Sequence, residues 1–183
     1  MKKKDFRHAS DLDPGDTVQA LSLWEPWASL MATGAKTIET RGQPMRYRGP
    51  LLICASKHKV LRDLRDLLDD PDFQRGLEHL PVEMAAWPDD LNFGHAVAIV
   101  DLVDCVPTSE LLASDRVGAD APFGDFSAGR FGLVTTRCRR INPFPVKGQQ
   151  GLFSVQLPAD FADFQAAAVP SRKGHGDLFG ATA

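Results

Sequence analysis

Three charged side chains lie within six residues of the sequence, between Lys36 and Arg41. Together with a preceding glycine they form the pattern Gly34-x-Lys36-x-x-Glu39-x-Arg41. A lysine with a lowered pKa can act as a base or activate a nucleophile, and a neighbouring carboxylate can orient it or relay a proton. Lysine and arginine can also meet phosphate, while a glutamate accepts hydrogen bonds from a base edge. These residue types therefore permit either catalysis or nucleotide binding.

The same cluster could also be a plain ion-pair network. Surface pairs between lysine and a carboxylate contribute only about 0–1 kcal/mol to the free energy of unfolding. Stability alone therefore gives little reason to gather these charges at the surface. A partly dry site would change the chemistry of Lys36, so both interpretations stay open at the level of sequence.

A strand and a helix are predicted just before the cluster. Val18–Leu23 alternates weakly and indicates a short strand, and Pro26 suits the first residue of a helix, where its missing N–H costs nothing. Gly34 suits the left-handed position that ends such a helix. One apolar stripe at helical spacing faces the core, consisting of Trp27, Leu30 and Met31.

A second strand is predicted over Lys36–Arg41, directly after this helix. Strand alternation places Thr37, Glu39 and Arg41 on one face and Ile38 on the other. Lys36 is expected at the mouth of the site, just after the turn. The predicted elements therefore bring the charged groups to one strand edge.

Further candidates for ligand contact lie near the helix. Trp24, at the turn between strand and helix, can offer a stacking face for a base or can pack in the core. Trp27 is more typical of a core residue because of its helical spacing. Ser29 lies on a different side of the helix and could face the pocket. The sequence thus adds Trp24 and Ser29 to the candidate site.

A glycine-flanked segment near the end of the chain adds polar side chains. Lys147, Gln149 and Gln150 surround Gly148 and precede Gly151. They can donate hydrogen bonds to phosphate or to a base, or they can be ordinary turn residues.

The two motifs resemble the signature of ASCH domains, a branch of the PUA-like β-barrel superfamily associated with RNA. The first motif combines Leu23-Trp24-x-Pro26-Trp27-Ala28 with the Gly-x-Lys-x-x-Glu-x-Arg pattern, and the second is Pro145–Phe153, which is similar to the closing segment of bacterial members. The resemblance brackets Val18–Leu157. It implies an α+β fold, a small PUA-like mixed β-barrel of about five to six strands with helices at its ends and edges.

Some small family members are amidohydrolases that remove the acetyl group from N4-acetylcytidine. They use a lysine at the position matching Lys36, a threonine three residues later and a glutamate elsewhere. This chain has Glu39 at the threonine position, and a carboxylate cannot repeat the role of a hydroxyl nucleophile. A ribonuclease activity is also attributed to a few members, and a Lys/Glu/Arg pocket could move a 2′-hydroxyl proton and steady a phosphate.

Three hypotheses of function follow. The preferred one is a protein of RNA metabolism that binds single-stranded RNA or a modified nucleoside in a concave, basic cleft. Its contact residues would be Trp24, Ser29, Lys36, Glu39, Arg41, Lys147, Gln149 and Gln150. No cofactor and no metal is expected.

The two alternatives use the same residues differently. In the second hypothesis the chain is a metal-independent amidohydrolase or ribonuclease with Lys36 and Glu39 as catalytic groups. A further carboxylate would come from Asp101, Asp104 or Glu110. In the third hypothesis the chain is a protein-interaction adaptor, in which Glu39 bridges Lys36 and Arg41 with no open pocket beside them.

Composition limits the mode of any nucleic-acid binding. The chain has 183 residues, 43% of them hydrophobic, and 24 acidic against 21 basic residues give a net charge of −3. A negative chain does not coat nucleic acid by bulk attraction, so contacts must be local. The candidate basic clusters are Arg41, Arg46 and Arg48, then Lys57–Lys59, then Arg137, Arg139 and Arg140.

The rest of the chain predicts further strands and helices around the motifs. Strands are expected at Arg48–Ala55, Gly94–Val106, Phe131–Thr136 and Leu152–Leu157. An amphipathic helix is expected over Val60–Leu68, a short helix and surface loop within Phe73–Asp90, and an N-capped helix at Glu110–Ala113. We predict an N-terminal extension over 1–17, one domain over 18–157 with an insertion at 71–92, and a partly disordered tail over 158–183.

Other classes of protein are disfavoured. The five histidines and three cysteines form no metal-ligand motif, and no glycine-rich phosphate loop or nucleophile elbow is present. No apolar run reaches the roughly 18 residues that a membrane helix needs, and the first residues contain no apolar signal core. A cytoplasmic protein without membrane contact is therefore expected.

Overall fold

Six strands and three named helices make up the part of the fold that the structure describes. A computed structural model describes residues 7–57, 66–67, 69–77 and 91–163. The strands are β1 Thr17–Leu23, β2 Ile38–Arg41, β3 Gly49–Ala55, β4 His95–Pro107, β5 Phe131–Pro145 and β6 Leu152–Gln156. The helices are α1 Trp27–Thr33, α2 Pro71–Leu77 and α3 Thr108–Ala113, and 3₁₀ turns lie at Ala9–Asp11 and Gly118–Phe123.

The strands form one mixed sheet in the order β2-β5-β4-β3-β1-β6. β1 and β3 run parallel, and all other neighbouring strands run antiparallel. The register between β4 and β5 shifts at three places, and such bulges bend and twist a sheet. The result is a curled half-barrel with a few helices, which confirms the predicted α+β fold.

The central strand β3 is buried on both faces, which explains its continuous apolar sequence. On one face Leu51 and Ile53 pack in a cluster with Met31 of α1. On the other face Leu52 packs in a second cluster that includes Ala9 from the N-terminal 3₁₀ turn. Part of the segment predicted as an extension, 1–17, therefore belongs to the core.

A buried carboxylate fastens this N-terminal turn to the sheet. Asp101 in β4 accepts a hydrogen bond from the backbone N–H of Ala9 at 2.6 Å, and His8 Nδ1 lies 2.7 Å from its other oxygen. Arg139 in β5 donates to the carbonyl of Ala9. Asp101 and Arg139, which sequence reasoning considered for the site, thus hold the N-terminal segment in place.

Several element boundaries differ from the prediction. β5 continues to Pro145, well past Thr136, because β4 offers backbone partners as far as His95, which pairs with Pro145. β2 begins at Ile38 and not at Lys36, and Pro26 is the N-cap of α1 and not its first residue.

Some predictions lie outside the described residues. The helix over 60–68 falls largely there, as do most of the loop within 73–90 and the tail beyond 163. The domain boundaries stay a prediction. Among the described helices, none is long and apolar enough to span a membrane.

A glycine in β5 lets α3 pack tightly against the sheet. A Cβ atom at Gly132 would lie 2.4 Å from Leu111 Cδ1 and 2.9 Å from Ile38 Cγ2. We therefore expect Gly132→Ala to lower the free energy of unfolding by about 1–3 kcal/mol, because overpacking forces buried side chains to shift. Urea denaturation measures the loss. Gly42→Ala is the control, since no heavy atom lies within 4 Å of its Cβ position; equal stability of the two variants would contradict this packing.

Candidate functional site

The start of α1 is held by a buried glutamate. Glu25 Oε2 accepts a hydrogen bond from the backbone N–H of Ser29 at 3.1 Å, and Oε1 accepts one from the Ser29 hydroxyl at 3.0 Å. Burial raises the pKa of Glu25 although these hydrogen bonds oppose the shift. Ser29, predicted as a ligand contact, therefore donates its backbone N–H and its hydroxyl to Glu25 at the start of its own helix.

The end of α1 leads directly to a buried lysine. Gly34 closes the helix in the left-handed region with φ 78°, as predicted. Lys36 follows and is 1% exposed, which differs from its expected place at the mouth of the site. Its Nζ donates to the carbonyl of Ile38 at 2.6 Å and to that of Phe123 at 2.7 Å, and it lies 3.4 Å from Glu39 Oε2. Because an ammonium group has three donors, these acceptors occupy all of them.

Two opposing effects act on the pKa of Lys36. Burial lowers this pKa because an ammonium group loses hydration, while the nearby carboxylates of Glu39 and Asp120 raise it. The net direction is downward. The group is nevertheless surrounded by acceptors that suit its charged form.

Asp120 makes a second connection between the same two segments. Its carboxylate accepts hydrogen bonds from the backbone N–H of Thr37 at 2.7 Å and of Ile38 at 2.9 Å, and from the Thr37 hydroxyl at 2.7 Å. Lys36 donates from the β2 side to the turn 118–123, and Asp120 accepts from the turn side. The two buried charges therefore lock this turn onto β2.

Glu39 lies in front of Lys36 and bridges the charged cluster. Its Oε1 is 3.7 Å from Arg41 Nη1, and its Oε2 faces Lys36. The Glu39 side chain is 12% exposed and that of Arg41 is 35% exposed. The adaptor hypothesis required this bridge, but it also required that no pocket lie beside it.

An open cleft of about 870 Å³ lies beside Glu39. It is bounded by the end of β1, β2, the segment after the 3₁₀ turn 118–123 and the loop 147–151. Six of the sequence-predicted residues line it: Trp24, Glu39, Arg41, Lys147, Gln149 and Gln150. Lys36 and Ser29 are not among its lining residues.

One wall of the cleft is a loop that sequence reasoning missed. The backbone N–H of Asp125 donates to the Thr40 hydroxyl at 3.1 Å, and Arg130 Nη2 donates to the Thr40 carbonyl at 3.3 Å. Hydrogen bonds from Ser127 lower the pKa of Asp125, with Arg130 adding to the effect, so its carboxylate is ionised. These residues carry no motif, and their position depends on contacts with β2 that are remote in sequence.

The cleft concentrates positive charge. Its lining includes four basic side chains, Arg41, Lys57, Arg130 and Lys147, against two acidic ones, Glu39 and Asp125. Arg48 and Arg139, from two of the predicted basic clusters, are not among the lining residues; Arg48 pairs with Asp104 at 3.2 Å and Arg139 with Asp163 at 2.7 Å. A chain of net charge −3 therefore has a locally basic cleft.

The two tryptophans differ in exposure as their positions suggested. Trp24 is 53% exposed at the cleft. Trp27 is partly buried and packs against a cluster of Leu30, Phe73 and Phe123. The exposed ring of Trp24 is therefore the better stacking surface.

A buried hydroxyl in the cleft was also missed. Ser22 Oγ, at the end of β1, is the only buried side-chain polar atom without a hydrogen-bond partner in the described parts of the chain. It lies against Gly148, where a Cβ atom would come within 2.6 Å of it. Glycine at 148 therefore lets the loop 147–151 approach β1 closely.

The carboxylates proposed for catalysis lie elsewhere. Asp101, Asp104 and Glu110 do not line the cleft, whereas Asp125 does. Across residues 7–57 and 91–163, and the short described stretches between them, no group of three or more His, Cys, Asp or Glu side chains could hold a metal ion.

Comparison with known proteins shows the family. The family model of the ASCH domain matches residues 21–121. The chain belongs to the ASCH domain family. The matched segment runs from within β1 to Ala121, so it contains Glu39 and both buried charges that lock the turn, Lys36 and Asp120. The predicted family is thereby confirmed.

Two curated relatives and two solved structures are similar to this ASCH chain. Activating signal cointegrator 1 from Mus musculus is 26% identical over 140 residues, and that from Homo sapiens is 27% identical over 139 residues. Each match covers 74% of this chain and 22% of the relative, so the chain spans about a fifth of their length.

The structures are both from Zymomonas mobilis. The ASCH crystal structure has a TM-score of 0.46 at 15% identity and covers 75% of this chain and 86% of its own. The Y47F mutant of the same protein has a TM-score of 0.44 at 13% identity and covers 75% and 88%.

Lys36 and Lys57 form a matched pair for testing the buried ammonium group. We expect Lys36→Met to lower the free energy of unfolding by about 2–4 kcal/mol, because two buried carbonyls and Glu39 lose their donor. Lys57→Met, at an exposed position, should change it by no more than about 0.5 kcal/mol. Chemical denaturation of both variants checks this. Equal effects would show that the three contacts of Lys36 contribute nothing to stability.

Glu25 predicts a dependence of stability on pH. Its pKa is raised above 4.5 in the folded state, so the folded protein holds this proton more tightly than the unfolded chain. The contribution of Glu25 to the free energy of unfolding is therefore greatest below pH 4.5. It is lost as the pH rises through the folded-state pKa of this group. We expect Glu25→Gln to gain stability relative to wild type over that rise, measured by denaturation at several pH values. A stability difference that does not change with pH would contradict the raised pKa.

Proposed function

We propose that this ASCH protein binds single-stranded RNA or a modified nucleoside in the cleft beside Glu39 and Arg41. The observation that carries the proposal is the concentration of basic side chains at one cleft of a chain with net negative charge. Local positive charge is what a phosphate-bearing ligand requires when bulk attraction is absent. The exposed ring of Trp24 at the same cleft supports a ligand that contains a base.

Each side of the cleft has a suitable role in this proposal. Trp24 offers its ring to a base, and Lys57 and Lys147 meet phosphate, because neither joins an ion pair among the described residues. Arg41 and Arg130 each share a nearby carboxylate, which leaves part of their donors for a ligand. The cleft thus combines an aromatic ring for stacking with basic side chains for the phosphate backbone of the ligand. A single-stranded nucleic acid needs both kinds of contact.

Glu39 would accept hydrogen bonds from the ligand. Its carboxylate is held from behind by Lys36 and at the side by Arg41, so its orientation is set before a ligand arrives. A carboxylate accepts hydrogen bonds and donates none, so it suits the amino or ring N–H groups of a base. The ligand-binding role of Lys36 is then indirect, through the position of Glu39.

The hydrolase alternative is less well supported by this arrangement. A lysine that acts as a base must lose its proton and reach the substrate, whereas Lys36 faces three acceptors and does not line the cleft. We therefore favour binding over catalysis with Lys36 as the base.

Binding of single-stranded RNA tests the proposal. Trp24→Ala should weaken binding by about 1–3 kcal/mol, roughly fivefold to more than a hundredfold, because a stacking surface is lost. Leu112→Ala is the control, because Leu112 is similarly exposed, at 56%, but does not line the cleft. Fluorescence anisotropy with a labelled RNA gives both dissociation constants. If both variants bind as wild type does, Trp24 is not part of the site.

The salt dependence of binding gives a second test. Lys57→Ala should reduce the slope of log K against log salt by roughly 0.7, as expected for one lost phosphate contact on a single strand. Incubation of the same samples with N4-acetylcytidine and with RNA, followed for deacetylation and cleavage, tests the hydrolase alternative. Turnover by wild type that Glu39→Gln abolishes would replace the binding proposal with an enzyme.

A further inference from the structure

A second groove adjoins the cleft on the far side of the loop 147–151. It has a volume of about 440 Å³ and lies between the end of β5 and the strand β6. Lys147 and Gln149 line both the groove and the cleft. The two depressions therefore adjoin each other at the loop 147–151, with these two side chains at the junction.

The groove has the chemistry of a surface for a negatively charged strand. Its lining residues include no aspartate or glutamate, although the chain has 24 acidic residues. Lys147 supplies positive charge, and Gln149, Ser154 and Gln156 supply hydrogen-bonding groups. The ring of Phe144, which is only partly buried, adds an aromatic surface. None of these lining side chains repels a phosphate, and a base can contact the ring of Phe144 or the polar side chains.

We infer that the ligand is a strand of RNA that continues from the cleft into this groove, and not an isolated nucleoside. The inference rests on the proposed function, since it extends the same site. The cleft alone, at about 870 Å³, already has the size of a small-molecule pocket. The adjoining groove provides room for neighbouring nucleotides, and Lys147 at the junction lies where the connecting phosphate passes.

The edge of β6 offers a competing occupant. Among the described strands, β6 lies at the end of the sheet and pairs with β1 alone, so an extended peptide could add to its outer edge. The shared Lys147 and the lack of acidic side chains among the lining residues favour RNA, because peptide addition needs neither a cation nor an adjoining cleft.

Length dependence of binding, combined with one added charge, tests the inference. The probes are the four nucleoside monophosphates and random-sequence RNA pools of about 2, about 4 and about 12 nucleotides, within the range that single-strand-binding folds cover. The variant is Ser154→Glu, which adds a negative charge at an exposed position of the groove. The control is Ser109→Glu, which adds the same charge at an exposed position of α3, outside both depressions.

We expect wild type to bind the longest pool at least about tenfold more tightly than the monophosphates, after correction for the number of binding registers. Ser154→Glu should weaken binding of the longest pool about fivefold and leave the monophosphates unchanged, as expected for one close repulsive charge. Ser109→Glu should change neither.

Two results would overturn the inference and leave the proposed function intact. One is equal affinity of wild type for monophosphates and the longest pool. The other is an identical effect of Ser154→Glu and Ser109→Glu on the affinity for the longest pool. RNA would then not enter the groove, and a peptide at the edge of β6 would be the remaining candidate occupant. If wild type binds none of the probes, binding of RNA, the first part of the proposed function, fails as well.

Discussion

A buried ammonium group without acceptors would be costly, and this constraint shapes the site. Lys36 is inside the protein, so its three donors must find partners from the chain. Two partners are the carbonyls of Ile38 and Phe123, and the third is Glu39. A single side chain therefore joins the motif strand, the turn 118–123 and the carboxylate that faces the cleft. With Asp120 it sets the distance between two cleft walls.

This arrangement separates the charges that build the site from those that can meet a ligand. Lys36 and Asp120 make most of their hydrogen bonds with the backbone, where burial makes an unpaired polar group costly. Lys57 and Lys147 stay at the rim of the cleft, in a chain whose total charge is negative. The basic cleft attracts a polyanion, while the negative charge of the rest of the protein repels it. The polyanion is therefore bound at one defined place and does not coat the surface.

Local signals predicted the elements around the site well. Gly34 ends α1, and the apolar runs of β3 and β4 are central strands, because helix caps and apolar runs act over a few residues. The depth of Lys36 could not be predicted, since a motif gives spacing but not burial. The sequence did not predict Asp125 as a site residue, because its position depends on a hydrogen bond with Thr40, which is remote in sequence. The extra length of β5 likewise comes from its partner β4.

The claim that buried charges lock the turn 118–123 onto β2 can be tested by amide hydrogen exchange of wild type and Asp120→Asn. Exchange reports local opening, residue by residue. We predict faster exchange at Thr37 and Ile38, whose N–H groups bond to Asp120, and at Asp125 in the cleft wall, with little change at Val155 in β6. Unchanged exchange at these amides, or equal acceleration across the whole sheet, would contradict the account.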